Sequence, residues 1–245
     1  MRVHADAIAL GAAAADDATG VISDAIAARG SANVMFASGN SQLTFLEDLT
    51  ARADIDWSRI TGFHMDEYCG IAADHPASFR RYMRERIVER VHPKEFHEIQ
   101  GDASDPASEC DRYAALLRAH PLDLCCLGIG ENGHLAFNDP PVADFNDPDD
   151  LKVVELDAAC RAQQVGEGHF PSVDAVPTHA ITVTIPALLR AQAVLAIVPE
   201  ARKREPVERA LTGPVDTACP ASILRTLPHV TMHLDQDSAG DVDMT

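Results

Sequence analysis

The chain has 245 residues, 46% of them hydrophobic and 24% charged, a length that excludes a disulfide-stapled miniprotein and fits one large α/β domain. Its 38 acidic residues outnumber 20 basic ones and leave a formal charge of -18, so a nucleic-acid backbone would be repelled over most of the surface. No run of about 18 apolar residues is available to cross a bilayer, and Asp6, Asp16 and Asp17 interrupt the alanine-rich N-terminus where a secretory signal needs a basic segment and an unbroken apolar core.

Apolar residues recur at helical spacing from Asp6 to Arg29 (Ile8, Ala12, Ala15, Val21, Ile22, Ile26), with Gly30 as a stop, which predicts one helix or two short ones broken near Gly20. The pattern then alternates. Strands are expected over Asn33–Ala37, Ile60–Met65, Leu122–Leu127, Ala193–Val198 and His229–Leu234, and helices over Ser41–Arg52, Pro76–Val91, Ala107–Ala119, Pro186–Ala191 and Ala201–Leu211. Val153–Leu156 and Ala180–Val183 are candidates for further strands, and Asn138–Asp150, with Pro140, Pro141 and Pro148, reads as a loop. The alternation predicts a single-domain α/β fold, a three-layer α/β/α sandwich with a mostly parallel sheet.

In such sheets ligands bind at the carboxyl ends of the strands, and three strand ends are chemically loaded. The first runs Phe36-Ala-Ser-Gly-Asn-Ser-Gln42 into a helix. It suits either an anion cradle built on Ser38, Gly39, Asn40 and Ser41 or an ordinary turn capped by Asn40 or Ser41. The second ends in His64-Met-Asp-Glu-Tyr68, where Asp66 and Glu67 point in different directions. One carboxylate reaches the crevice as a general base while the other braces a neighbour; a surface acid pair is the bland alternative.

The third strand end runs Gly128-Ile-Gly-Glu-Asn-Gly-His-Leu-Ala-Phe-Asn-Asp-Pro140 and contains G-x-G-x-x-G, with Glu155 further on. A dinucleotide fingerprint must open a helix, and the proline-rich stretch that follows does not, so a nicotinamide cofactor is rejected. What remains is a glycine-bent loop carrying Asn132, His134, Asn138 and Asp139, in which the imidazole and the carboxylate five residues on can form an acid/base unit; a buried, satisfied histidine is the ordinary alternative. His229 and His233 are four apart on a strand and lack a glutamate partner, the six cysteines form no C-x-x-C, and no metal is implied. The thiols read as reduced and mostly buried, in a cytoplasmic protein.

Phe63-His-Met-Asp-Glu-Tyr-Cys-Gly70, His75-Pro-Ala-Ser-Phe79 and the G-x-x-x-N-G-H-x-A-F-N core of Gly128–Pro140 resemble the glucosamine-6-phosphate deaminase (isomerase) family, related more distantly to 6-phosphogluconolactonases. The resemblance implies a modified Rossmann-like fold and a cofactor-independent aldose-ketose isomerisation with loss of ammonia from glucosamine 6-phosphate or a close amino-sugar phosphate. It implies that Asp66 moves a proton between C2 and C1, and that His134 opens the sugar ring with Asn132 and Asp139. Ser38, Gly39, Asn40, Ser41 and Lys203 would hold the phosphate, with Glu67 and Arg161 also against the substrate. A solvated surface position is the ordinary alternative for Lys203.

Three positions depart from the family pattern: Asn132 stands where some members have Asp, Asp139 where Glu is usual, and Ser-Gly-Asn-Ser replaces a Thr-Gly-Gly-Thr type of loop. A lactonase-like hydrolase and a non-catalytic sugar-phosphate sensor are the alternatives, and a homo-oligomer is left open.

Overall fold

The computed structural model describes residues 1–166, 168 and 170–240. Glu167 and His169, in the stretch after Arg161 where the sequence offers no further arginine, lie outside the described residues.

Strand β1 (Arg2–His4) leads into helix α1 (Ala7–Arg29), which is unbroken. Asp6 caps it by accepting from the amides of Ile8 and Ala9, and Gly30 ends it at a left-handed φ of 80°, a conformation that favours glycine. Gly20 does not interrupt it, because the glycine penalty of about 1 kcal/mol is outweighed by burial of Leu10, Ala14, Ala18 and Ile22 along one face. Gly11 serves the packing instead. A Cβ there would stand 2.7 Å from the Thr44 backbone, so α1 approaches this closely only as glycine.

The chain continues through β2 (Ala32–Phe36), α2 (Leu43–Ala51), β3 (Ile60–His64), β4 (Asp66–Tyr68) and α3 (Phe79–Met83), which runs through a π-turn into α4 (Glu89–Val91). Next come β5 (Glu95–His97), α5 (Pro106–Ala119), β6 (Leu124–Leu127), β7 (Leu151–Glu155), α6 (Ala158–Gly166), β8 (His179–Val183) and α7 (Ile185–Leu189). The last elements are β9 (Ala193–Val198), α8 (Arg204–Thr212), β10 (Val230–Asp235) and α9 (Gln236–Ala239).

Seven strands form a parallel sheet in the order β1-β10-β9-β6-β2-β3-β5. The core divides by residue parity along its strands. Val34, Phe36, Leu124, Cys126, Leu195 and Ile197 pack with α1 and α2 on one face, while Met35, Cys125, Leu127, Val194, Ala196 and Val198 pack with α5 and α8 on the other. Burial on both faces is why these strands read as continuous apolar runs.

The two further strand candidates form, with β4, a separate antiparallel sheet in the order β4-β8-β7. The expected strand over Ile60–Met65 therefore stops at His64. Met65 turns the chain, its carbonyl accepting from Val183 at 2.8 Å, and Asp66–Tyr68 starts again in the small sheet. Chain progression reverses between β2, which leads outward to β3, and β6, which leads outward to β9. That switch point is where a crevice opens at the carboxyl ends of the strands. Among the described residues no helix is long and apolar enough to cross a membrane.

Candidate active site

The loops after β2, β3, β6 and β9 enclose a cleft of about 620 Å³, its solvent-open mouth included. After β2, Ala37, Ser38, Gly39, Asn40 and Ser41 line it. Neither the 3-10 turn Asn40–Gln42 nor α2 has a side-chain cap, so the ordinary capping role for Asn40 or Ser41 is not taken up. Uncapped amides and the positive end of a helix favour an anion. Gly39 adopts a φ of 113°, and its carbonyl accepts from the Tyr82 hydroxyl at 2.9 Å, which pins the loop from outside.

Lys203 and Arg202 line the same cleft from the turn after β9, and Lys203 is only 3% exposed. Lys203 is thus not a solvated surface residue. The turn is entered through Glu200 at a φ of 86°, and the Glu200 amide donates to the Asp235 carboxylate at 3.0 and 3.2 Å. A non-glycine residue there is strained by roughly 1–3 kcal/mol, so Asp235, itself buried at the end of β10, braces the segment that delivers Lys203.

The third side of the cleft is acidic. Asp66 lines it, is 7% exposed and has an Oδ1 atom that is buried without a hydrogen-bond partner among the described residues. Burial, reinforced by the charges of Glu67 and Asp139, pushes its carboxyl well above the ordinary carboxylate range. Glu67 points the other way. Its carboxylate accepts five hydrogen bonds, from the amides of Tyr68, Phe79 and Arg80, the Ser78 hydroxyl and the Arg80 guanidinium.

The loop after β6 opens no helix, consistent with rejecting a dinucleotide fingerprint there. It folds back on itself: the Gly130 amide donates to the His134 carbonyl at 2.9 Å, and the His134 ring sits 2.2 Å from where a Gly130 Cβ would be. His134 Nδ1 lies 2.8 Å from Asn132 Oδ1 and 2.9 Å from Asp139 Oδ1, and Asn132 Nδ2 donates to that same Asp139 oxygen at 2.7 Å. Asp139 is 1% exposed. Burial alone would raise its carboxyl, but the His134 charge and bonds from His134, Asn132 and Cys160 hold it below its ordinary value. Asn138, fully buried, ties the loop to β8 through the Val183 carbonyl at 2.9 Å.

Cys160, on α6, brings its sulfur near this pair, so that ligand-type atoms of His134, Asp139 and Cys160 lie within 4.8 Å of one another. The imidazole and carboxylate are already bonded to each other and to Asn132, and burial keeps the thiol protonated, so the group reads as a hydrogen-bonded relay.

Two residues expected against the substrate lie away from the cleft lining in this geometry. Glu67 is buried behind β4 and is not among the cleft-lining residues. Arg161 is not among them either, because its guanidinium donates to the carbonyls of Val173 and Val176. The helix explains Arg161: Cys160 and Gln164, four apart, share the inward face of α6, and one residue on, the side chain is turned about 100° away. Gln164 and Arg202 line the cleft and were not anticipated. Arg202 could have been suspected from its place beside Lys203, whereas Gln164 carried no sequence signal.

A sequence model described as glucosamine-6-phosphate isomerases/6-phosphogluconolactonase matches residues 5–232. The chain belongs to this family. It is 34% identical over 203 residues to a glucosamine-6-phosphate deaminase from Listeria innocua, covering 83% of this chain and 84% of that one. It is 36% identical over 202 residues to one from Bacillus thuringiensis, covering 82% and 75% respectively. A solved monomeric glucosamine-6-phosphate deaminase superposes with a TM-score of 0.88 at 29% identity, over 98% of this chain and 99% of that one. A 6-phosphogluconolactonase from Shewanella baltica shares the fold at a TM-score of 0.80 and 20% identity, over 96% of each chain.

Proposed function

We propose that this family member converts glucosamine 6-phosphate and water to fructose 6-phosphate and ammonia, working as one domain whose cleft draws on both sheets. The observation that carries the reading is a buried, hydrogen-bond-poor carboxylate, Asp66, facing the same cleft as the His134–Asp139 pair and the Lys203 side chain.

The phosphate would sit between the uncapped turn at Ser38–Ser41 and Lys203, where local positive charge overcomes the chain's overall negative charge. With Nδ1 held by Asp139 and Asn132, His134 presents Nε2 to the sugar. It takes the proton of the anomeric hydroxyl and returns it to the ring oxygen, which opens the ring. Asp66 removes the proton from C2 and delivers it to C1. The C2 imine so formed adds water and releases ammonia. This sequence moves protons and exchanges no electrons with an outside acceptor, so it requires no redox cofactor.

The two departures in the histidine loop compensate each other on this reading. The shorter Asp139 reaches Nδ1 directly, and the amide of Asn132 donates to Asp139 where a second carboxylate would repel it. We place the enzyme in the cytoplasm, consistent with six free cysteines. A coupled ammonium assay on purified protein with glucosamine 6-phosphate tests the proposal. Turnover is expected; hydrolysis of 6-phosphogluconolactone without ammonia release would assign the chain to the other branch of the family.

A further inference from the structure

Away from the cleft, β5 and the end of α5 bring together Glu95, His97 and His120, with one ligand-type atom of each within 4.8 Å of the others. Glu95 and His97 are two apart on a strand and project from one face, and His120 is the residue that ends α5. We propose that this cluster binds a borderline divalent transition-metal ion of the zinc type, independently of the catalytic cleft.

The ligand atoms are prepared for it. His120 Nδ1 lies 3.0 Å from the Leu116 carbonyl oxygen; a carbonyl only accepts, so Nδ1 carries the proton and Nε2 keeps its lone pair. His97 Nε2 is buried with no hydrogen-bond partner and stands 3.4 Å from Glu95 Oε2. Tetrahedral zinc bonds of about 2.0–2.1 Å place ligand atoms about 3.3 Å apart, so this spacing already fits.

The surroundings support the same assignment. The two imidazoles are 5.4 Å apart between centroids and rest on Phe63, at 5.0 and 5.9 Å, which supplies an apolar floor. The nearby Arg112 guanidinium is held by Glu109 at 2.6 and 2.7 Å, so its charge is compensated. Two imidazoles and one carboxylate match the three protein ligands of an open zinc site, whereas calcium and magnesium require an oxygen shell. An ion here would tie β5, which pairs with β3 at the sheet edge, to the end of α5, and would stabilise the fold by linkage.

The test is titration of the metal-free full chain with Co²⁺, read by visible absorption, and with Zn²⁺, read by calorimetry and thermal unfolding. The proposal expects one ion per chain, a cobalt spectrum without sulfur-to-metal charge transfer, and a rising Tm. Loss of an outer-shell partner already costs about 10–100-fold in affinity, so His97→Gln should weaken binding by at least about tenfold. Glu95→Gln, at an exposed position where folding is not at risk, should weaken it in the same direction, and ammonia release should stay at the parental rate in both variants. Absence of saturable binding, or binding unchanged in both variants, would overturn the site. So would a charge-transfer band abolished by Cys160→Ser, which would put the ion in the cleft.

Discussion

Strand β4 carries two buried carboxylates on opposite faces, and their surroundings differ sharply. Glu67 faces a socket of donors, the amides that open α3 together with Ser78 and Arg80. Burial raises its carboxyl, and those donors pull it back. Asp66 faces the cleft with an oxygen that nothing bonds, next to two other acids. Similar burial thus leaves one carboxylate whose charge is solvated by protein dipoles, and one whose charge is not. The lesson for this fold is that the unbonded carboxylate, at a cost in stability, is the one suited to move protons.

The largest effect expected from breaking that contrast is at Asp66. Asp66→Asn should lower kcat by about 10²–10⁴, the range for a positioned general base, with little change in substrate affinity. The same substitution should raise Tm at neutral pH. Folding lifts this carboxyl above its ordinary value of 3.8, so its contribution to stability is present below that pH and is lost as pH rises through the folded value. Asp66→Asn cannot ionise and escapes the loss, so its advantage in thermal unfolding should vanish under strongly acidic conditions. Roughly 2–4 °C is expected for each kcal/mol relieved.

Glu67→Gln should show the opposite pattern. Removing one member of a buried pair costs about 3–5 kcal/mol, and the lower end applies because Arg80 keeps the Ile71 carbonyl and Asp102, each at 2.7 Å. Thermal unfolding should drop by roughly 6–12 °C, while kcat per folded molecule changes far less than in Asp66→Asn. A loss of turnover equal to that of Asp66→Asn, with Tm unchanged, would erase the distinction between the two faces.

A smaller effect separates the two basic residues expected against the substrate. Lys203→Ala should raise KM by about 10–100-fold, the scale of one charge-assisted hydrogen bond. Arg161→Ala, which removes only donation to the Val173 and Val176 carbonyls, should leave KM at its parental value. Steady-state kinetics of the two variants side by side decides between them.

The five principal parallel strands were legible because burial on both faces writes them as short apolar runs, and the cleft residues were legible because they cluster where those runs end. The remaining strands of the main sheet were not: β1 and β5 are three-residue edge strands too short to show a period. Strand β4 was hidden for another reason. His64-Met-Asp-Glu-Tyr68 reads as one continuous segment, yet the chain changes sheets at Met65, and only tertiary pairing with β8 reveals it. Helix α6 was missed within a stretch of glutamine, glycine and small residues, and with it Gln164, whose side chain accepts from the Tyr68 hydroxyl at 2.5 Å. The orientation of Arg161 was illegible for the same reason, since the face of an unrecognised helix cannot be read.

The proposed mechanism turns on Asp66 alone carrying the proton between C2 and C1. Its most direct test follows the label in glucosamine 6-phosphate deuterated at C2, comparing the parent with Asp66→Asn. The parent should lose C2 deuterium in step with turnover, and part of it should reappear at C1 of fructose 6-phosphate, because the carboxylate is nearly buried and exchanges slowly with solvent. Asp66→Asn should show neither loss nor transfer above background. Deuterium leaving C2 in Asp66→Asn at half the parental rate or more would contradict the assignment of Asp66 as the base.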